Sequence, residues 1–486
     1  MTRHDLEALN IGGEIIPVVR RTSIDGIAPV DLYEALCADK IYSFLLESLE
    51  GEEKIARYSI LGFDPFLSFQ SKGDTVTVSN GERTVQEEGD PIEILKNLMS
   101  RFQMQATIDV VKFACGGVGY FGYDVVRFFE ALPDSNPDDV DVPDCILVFP
   151  RIVVVFDHQV QSLTIISNGT REKYEGGLLA LKTVEKTVER LKHEGFPEKK
   201  RRVRGEKSSG LESNLTREQF QKMVERAREY IFAGDVFQVV LSQRFSVPIE
   251  FDPLRIFRAL RRTNPSPYMY YLNFNRIRII GSSPEMLVRV EEGLVETRPL
   301  AGTRPRGNSQ KEDETLIQEL KNDDKEKAEH IMLVDLGRND IGRVCDYGSV
   351  KVTELLEVEK YSHVIHLVSN VVGKLNQDKD AFDVLRATFP AGTVSGAPKV
   401  RAMEIIDELE PARRGIYAGA VGYVSFTGNL DMCIAIRTIV IKDHMAYIQT
   451  GAGIVADSVP EREYCETIQK AQALFRAVET ANADCI

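Results

Sequence analysis

Seven cysteines make up the whole thiol complement of this 486-residue chain, at Cys37, Cys115, Cys145, Cys345, Cys433, Cys465 and Cys485, and none forms a CxxC pair. An odd, dispersed set excludes a disulfide framework and a cysteine-rich zinc site, and it suits a reducing compartment. No run of about 18 apolar residues occurs, so no membrane-spanning helix is expected. The opening MTRHDLEALN has no apolar signal-peptide core and no Arg/Ser-rich, acid-poor transit character, so a cytosolic protein is the expectation. No strand runs into GxGxxG and then a helix, and no Walker loop or fixed-period repeat is present. Dinucleotide sites, nucleoside triphosphate sites and solenoids lose support accordingly. Tryptophan is absent, and positive charge is in deficit, 60 Lys and Arg against 74 Asp and Glu giving −14. That balance argues against a general nucleic-acid binder or an anionic membrane-surface protein, while leaving room for a small anion held by local Arg and Lys.

What is present is ordinary globular material, 43% hydrophobic and 28% charged, enough to bury a sizeable core. Residues 1–195 read as an α+β region with short β-like runs at Ile41–Ser48, Ala56–Leu61, Ile152–Phe156 and Leu163–Ser167, the last two a hairpin across Asp157–Gln159. Residues 196–214, charged and without apolar periodicity, read as a linker whose basic run Lys199–Arg204 is solvated. Residues 215–486 open on a helix over 216–233 with a Thr216/Gln219 capping box, followed by a strand in VFQVVLSQRF and strands at Arg278–Gly281, Met286–Val290 and Leu294–Arg298. Near the end, Ala418–Ser425, Leu430–Ile441 and Met445–Gly451 predict a three-strand meander. The fold class expected is α+β with largely antiparallel sheets flanked by helices.

Chemistry gathers in a few places. GAGIVADSVPEREYCETIQK (451–470) joins a Gly451-Ala452-Gly453 turn, which lets a ligand approach the backbone, to a helix with Glu463, Glu466 and Lys470 on one face. A divalent cation wants such carboxylates, though from this segment alone an exposed helix with an ordinary Glu466–Lys470 pair is the commoner reading. Glu326 and Glu329 form a second acidic pair on a helix, and a cation shared between one carboxylate of each helix accounts for both, magnesium being the ion that takes few protein oxygens and completes its shell with water and substrate. Arg437 falls in an otherwise apolar predicted strand, where a guanidinium needs an anionic partner, from protein or ligand. His363 and His366 have no metal-ligand spacing around them. ETRPLAGTRPRG and FPAGTVSGAPKV read as tight turns, the second opening onto a helix from about Pro398.

RPLAGTRPRG (298–307), AEHIMLVDLGRND (328–340), YSHVIHLVS (361–369), AGTVSGAPKVRAMEIID (391–407), GAVGYVSF (419–426) and QTGAGIVADSVPEREYCET (449–467) occur in this order, and LLES (45–48), RYSILGFDP (57–65) and GGVGYFGYDVVR (116–127) extend the set into the first half. Together they resemble the chorismate-utilising enzymes, specifically the anthranilate synthase component I branch. The resemblance implies a two-sheet, sandwich-like chorismate-binding fold and an Mg²⁺-dependent cytoplasmic lyase. It implies that ammonia adds at ring carbon 2, that the ring-carbon 4 hydroxyl leaves, and that pyruvate is eliminated. Glu329 and Glu466 look like the magnesium ligands, Glu326 like the general acid and His366 like the histidine associated with pyruvate loss. Tyr417 and Arg437 look like the clamp on the enolpyruvyl carboxylate. Gly302, Thr303, Gly451, Ala452 and Gly453 look like backbone and hydroxyl contacts, Thr303 also among the catalytic set, and Glu463 and Lys470 like further polar groups of the site.

Within the resemblance, two positions separate chemistries. Water-using relatives carry a lysine base where this chain has Gln238, and an amide cannot serve as that base. Aminodeoxychorismate synthases often carry a nucleophilic lysine where this chain has Ala301. Anthranilate synthase remains, with synthases that stop at 2-amino-2-deoxyisochorismate or make aminodeoxychorismate as near alternatives and a non-catalytic metabolite sensor as an alternative of another class. LLES with Ser48, and NPSPYM with Pro267, Tyr268 and Met269, resemble an L-tryptophan feedback pocket, though each also reads as an apolar strand and a Pro-rich turn. No amidotransferase nucleophile motif is present, so a separate glutamine amidotransferase (component II) is the expected ammonia source, in a heterotetramer, with neither nucleic acid nor membrane as partner.

Overall fold

The computed structural model describes residues 11–24, 26–49, 57–104, 113–169, 174–194, 210–307, 309–361 and 364–483. The basic run Lys199–Arg204, most of the linker and His363 lie outside them.

The strands build two sheets packed face to face. The first half of the chain supplies β1 (Tyr42–Glu47), β2 (Tyr58–Lys72) and β4 (Cys145–Asp157) to the first sheet and β3 (Gly116–Phe121) to the second. From the second half come β5 (Gln238–Pro248), β6 (Tyr268–Phe274), β7 (Ile277–Ser283), β8 (Met286–Glu291), β9 (Leu300–Pro305), β10 (Val364–Lys374), β11 (Ala420–Ser425), β12 (Leu430–Ile434), β13 (Thr438–Lys442) and β14 (Met445–Ile454). In the first sheet β4 pairs with β2, β2 with β1, β1 with β6, and the order continues β7, β13, β14, β5. In the second, β4 passes its other end to β3, followed by β11, β12 and β8, with β9 and β10 paired beyond. Every pairing named here is antiparallel. Strands from both sides of the linker share each sheet, so the halves fold around common cores.

Side-chain alternation assigns the layers. On β1, Phe44 faces the core between the sheets with Tyr120, Tyr270, Leu272 and Val421, while its neighbour Leu45 faces an outer core with Tyr271 and Ile448. Helices cover the outer faces: α1 (Arg217–Ala233), α2 (Asp324–Gly342), α3 (Lys399–Leu409) and α4 (Pro460–Ala483). The Thr216 capping box forms, and Gly234 closes α1 in the left-handed conformation. Among the described residues no helix is long and apolar enough to cross a membrane.

Two expectations are corrected. The stretch Leu430–Ile441 is two strands, because β12 pairs with β8 and β11 in one sheet whereas β13 pairs with β7 and β14 in the other. The chain changes sheet across Ala435–Arg437, where Arg437 holds φ +51 and its carbonyl accepts from Ser282 N. Arg437 therefore sits at a sheet-to-sheet corner rather than within a strand. Likewise, RPLAGTRP is no simple turn: Leu300–Pro305 is the paired strand β9, with a bulge at Gly302, φ +66.

Candidate active site

The sheet-to-sheet corner, the bulge of β9, the ends of β5 and β14, and helices α2 and α4 converge on one cleft. Glycines set how closely they approach. A Cβ on Gly451 would come 2.7 Å from the Tyr417 hydroxyl and one on Gly453 2.6 Å from Gln238 Nε2, so the Gly-Ala-Gly end of β14 is as bare as its neighbours require. Ala452, between them, points into the core beneath α1. Gln238 Nε2 donates to Glu329 Oε1 at 3.0 Å, which fixes α2 against β5. On α4, Lys470 Nζ donates to the Gly451 carbonyl at 3.1 Å and pairs with Glu466 at 2.8 Å.

The carboxylates of α2 and α4 face one another. Burial raises the pKa of Glu329, and the charges of Glu326 and Glu466 add to that rise against the Gln238 hydrogen bond. Burial raises Glu463 too, with Glu466 adding, while Ser458, Lys470 and Lys325 oppose. Hard oxygens crowded with too little positive charge suit a hard divalent cation. Among the described residues no three His, Cys, Asp or Glu side chains gather closely enough to hold a metal alone. The donor set therefore fits an ion that takes two carboxylates and draws the rest of its shell from water and substrate. The Glu466–Lys470 pair and the approach of Glu466 to Glu329 coexist, so the helix pair expected from sequence and the interhelical acidic site are not alternatives.

Glu326 accepts from Arg304 Nη1 at 3.0 Å, and Arg304 Nη2 reaches Asp323 at 2.8 Å. A different carboxyl has the properties of an acid. Glu285, just before β8, is buried and accepts from Thr393 Oγ1 at 3.0 Å, and burial pushes its pKa up to about 8, opposed by that bond and by Lys470. Its sequence signal is slight: a glutamate between Pro284 and the apolar run MLVRV, where a strand leaves a turn.

His366 pairs across β9 with Thr303, whose side chain lies outside the described residues, and its Nδ1 stands 3.3 Å from the Gly302 carbonyl. A carbonyl only accepts, so Nδ1 carries the proton and Nε2 the lone pair. Burial, with Arg437 adding, lowers its pKa to about 4, so the ring is neutral at pH 7. Arg437 itself has its pKa lowered by burial, and among the described residues no carboxylate pairs with its guanidinium. The Tyr417 hydroxyl, directed at Gly451, has its pKa pushed up to about 12 by burial and remains a donor.

Ser48, Pro267, Tyr268 and Met269 lie together outside this cleft, lining a cavity of about 780 Å³ between the sheets whose walls include none of the cleft residues above. The Ser48 hydroxyl is shielded from solvent and has no hydrogen-bond partner among the described residues. Tyr268 Oη donates to Asp431 at 3.0 Å, and Asp431 accepts from Arg289 Nε at 3.1 Å.

Three comparisons bear on this geometry. The model of a family described as chorismate binding enzyme matches residues 42–476. Over 474 residues the chain is 50% identical to an anthranilate synthase component 1 of Acetivibrio thermocellus, covering 96% of each, and over 487 residues 46% identical to that of Aquifex aeolicus, covering 99% of this chain and 98% of the other. The crystal structure of anthranilate synthase component I from Streptococcus pneumoniae superposes with a TM-score of 0.76 at 39% identity, over 88% of this chain and 95% of that one.

Proposed function

We propose, from the premise that the chain belongs to the chorismate-binding enzyme family, that it converts chorismate and ammonia to anthranilate and pyruvate in tryptophan biosynthesis. The observation that carries the reading is the Arg437 guanidinium, partly buried at the sheet-to-sheet corner beside His366 with no carboxylate paired to it among the described residues, in a site that also holds the crowded carboxylates of α2 and α4. A dicarboxylate satisfies both ends: one carboxylate on Arg437 and the Tyr417 hydroxyl, the other at the acidic end. Magnesium held there by Glu329 and Glu466 supplies Lewis-acid charge neutralisation to the ring carboxylate when bound.

The chain's own groups supply the proton chemistry. Glu285, its pKa raised by burial, gives its proton to the departing hydroxyl, which leaves as water once ammonia has added to the ring. This role falls to Glu285 rather than Glu326, whose carboxylate is engaged by Arg304. His366 Nε2 then takes the ring proton as the bond from the ring to the enolpyruvyl oxygen breaks, and the pyruvate enolate released is protonated at its CH2 carbon to give pyruvate. Gln238 orients Glu329 and offers no base for water, and Ala301 offers no amine, so ammonia is the nucleophile. The relatives' designation as component 1 supports a second component as partner, and we assign it the release of ammonia from glutamine. The 780 Å³ cavity, with its unpartnered Ser48 hydroxyl, is the site we assign to feedback inhibition by L-tryptophan.

The test mixes purified chain with chorismate, MgCl₂ and an ammonium salt, and follows anthranilate fluorescence with product mass. Anthranilate and pyruvate are expected, lost in Glu466→Gln with the fold intact. Release of an amino intermediate, or no product across the pH range, refutes the assignment.

A further inference from the structure

Against the Tyr417 ring lies a buried ion pair, Arg414 and Glu410, whose side chains are 1% and 2% exposed. The pair is bidentate: Arg414 Nε donates to Glu410 Oε2 at 2.9 Å and Nη2 to Oε1 at 2.6 Å. The remaining donors go to backbone. Nη1 reaches the Val394 carbonyl and Nη2 the Val240 carbonyl, each at 2.7 Å. Glu410 Oε1 also accepts from Ser242 N and Oγ, both at 2.8 Å, and the Ser242 hydroxyl accepts from Gln449 Nε2 at 2.9 Å. The guanidinium lies between two tyrosine rings, 4.9 Å from the centroid of Tyr123 and 5.5 Å from that of Tyr417.

Each tether ends next to a residue of the cleft. Val240 is two residues along β5 from Gln238, which holds Glu329. Val394 follows Thr393, which holds Glu285. Tyr417 directs its hydroxyl at Gly451, and the next amide, Ala418 N, donates to Ala435 O at the corner that ends in Arg437. Folding energy alone is a weak reason for such a pair, because the desolvation of two buried charges offsets much of their attraction. A planar fork that fixes four partners at set angles gives geometry, which an apolar cluster does not.

We infer that Arg414 and Glu410 are positioning residues for the reaction, one rigid fork setting the relative placement of Gln238, Thr393 and Tyr417 and thereby of the groups that meet substrate. The inference rests on the proposed function for what the cleft binds. The test is steady-state kinetics with chorismate and ammonium on Arg414→Lys, which keeps the charge but not the fork, and on Glu410→Gln, which keeps the shape but not the charge. Arg413→Lys is the control, since Arg413 pairs with the half-exposed Asp134 on the outer side. The expected KM for chorismate rises about 100-fold in Arg414→Lys and about 10-fold in Glu410→Gln, with kcat changed less, while the control keeps wild-type constants. Should Arg414→Lys fail to fold, the Glu410→Gln arm decides. A folded variant of either residue with wild-type KM overturns the inference. Wild-type protein that neither binds nor turns over chorismate refutes the reading of the cleft, and this inference with it.

Discussion

The cleft and the inter-sheet cavity are both lined with charge, yet they handle it oppositely. In the cleft, Arg437 has no carboxylate paired to it among the described residues, Glu285 has a threonine, and Glu329 has an amide and two like charges. In the cavity the arginines are paired within the protein: Arg289 with Asp431 and Glu296, and Arg298 with Glu354 and, just beyond the lining, Glu359. A site whose ions are left unsatisfied asks for ionic ligands in return, whereas one whose ions are paired reads shape and a few hydrogen bonds. The two are also joined. Strands β8 and β12 have Arg289 and Asp431 in the cavity, while β8 begins beside Glu285 and β12 ends at the corner leading to Arg437.

The sharpest way to break this contrast is to remove the unsatisfied cation. Arg437→Met is expected to weaken chorismate binding by about 100- to 1,000-fold, the loss of one partner of a buried ionic contact. Because no protein carboxylate is stranded, its melting temperature should equal or exceed that of wild type. Calorimetric binding and a thermal melt check both, and a large loss of stability would show that Arg437 has an internal anion after all.

Next in size is Glu285→Gln, expected to lower kcat by roughly 10²- to 10⁴-fold as a general acid is lost. Glu285 has a folded pKa raised to about 8, so the protonated form holds below that value and activity falls as pH rises through it. The same shift means the folded state binds the extra proton between the ordinary carboxylate range and about pH 8, so its contribution to stability declines across that window. A pH–rate profile should show the alkaline limb in wild type and not in the glutamine variant. Residual activity of Glu285→Gln with that limb unchanged would move the role to another group.

Smaller effects come from crowding. Gly453→Ala places a Cβ against the Gln238 amide, and a loss of about 10-fold in kcat/KM is expected as the Gln238–Glu329 bond is displaced, with magnesium dependence shifted to higher concentration. Titrating MgCl₂ in the ammonium assay reads the shift.

The least effect on turnover belongs to the cavity. Ser48→Ala is expected to leave kcat and KM for chorismate near wild type while raising the Kd for L-tryptophan about 10-fold, the loss of one hydroxyl contact in a buried site. With no tryptophan in the chain, the fluorescence of the ligand reports binding directly. Equal tryptophan affinity in both proteins would separate Ser48 from the effector site.

Much of this was legible in the residues, for reasons that are local. The Thr216 cap, the hairpin at Asp157 and the strand of VFQVVLSQRF follow from capping and period-two patterning, and the structure has all three. The ordered motifs pointed to the cleft, and Ser48 with Pro267–Met269 to one cavity, because these residue types cluster in characteristic strings. Arg437 was noticed as a cation among apolar residues, but its corner was not visible. A strand that changes sheet keeps its apolar pattern, and only its pairing partners reveal the break.

The sequence by itself determined the chemical vocabulary: an acidic pair on each of two helices, a guanidinium among apolar residues, an amide at Gln238, and glycines where backbone must lie close. Only the tertiary structure gave the carboxyls different surroundings. Glu285, Glu326 and Glu329 have the same side chain, and their difference is desolvation and company. One is buried against a threonine, one is held by Arg304, and one is crowded by like charge. Those environments are assembled from strands and helices distant in the chain, so no local pattern records them.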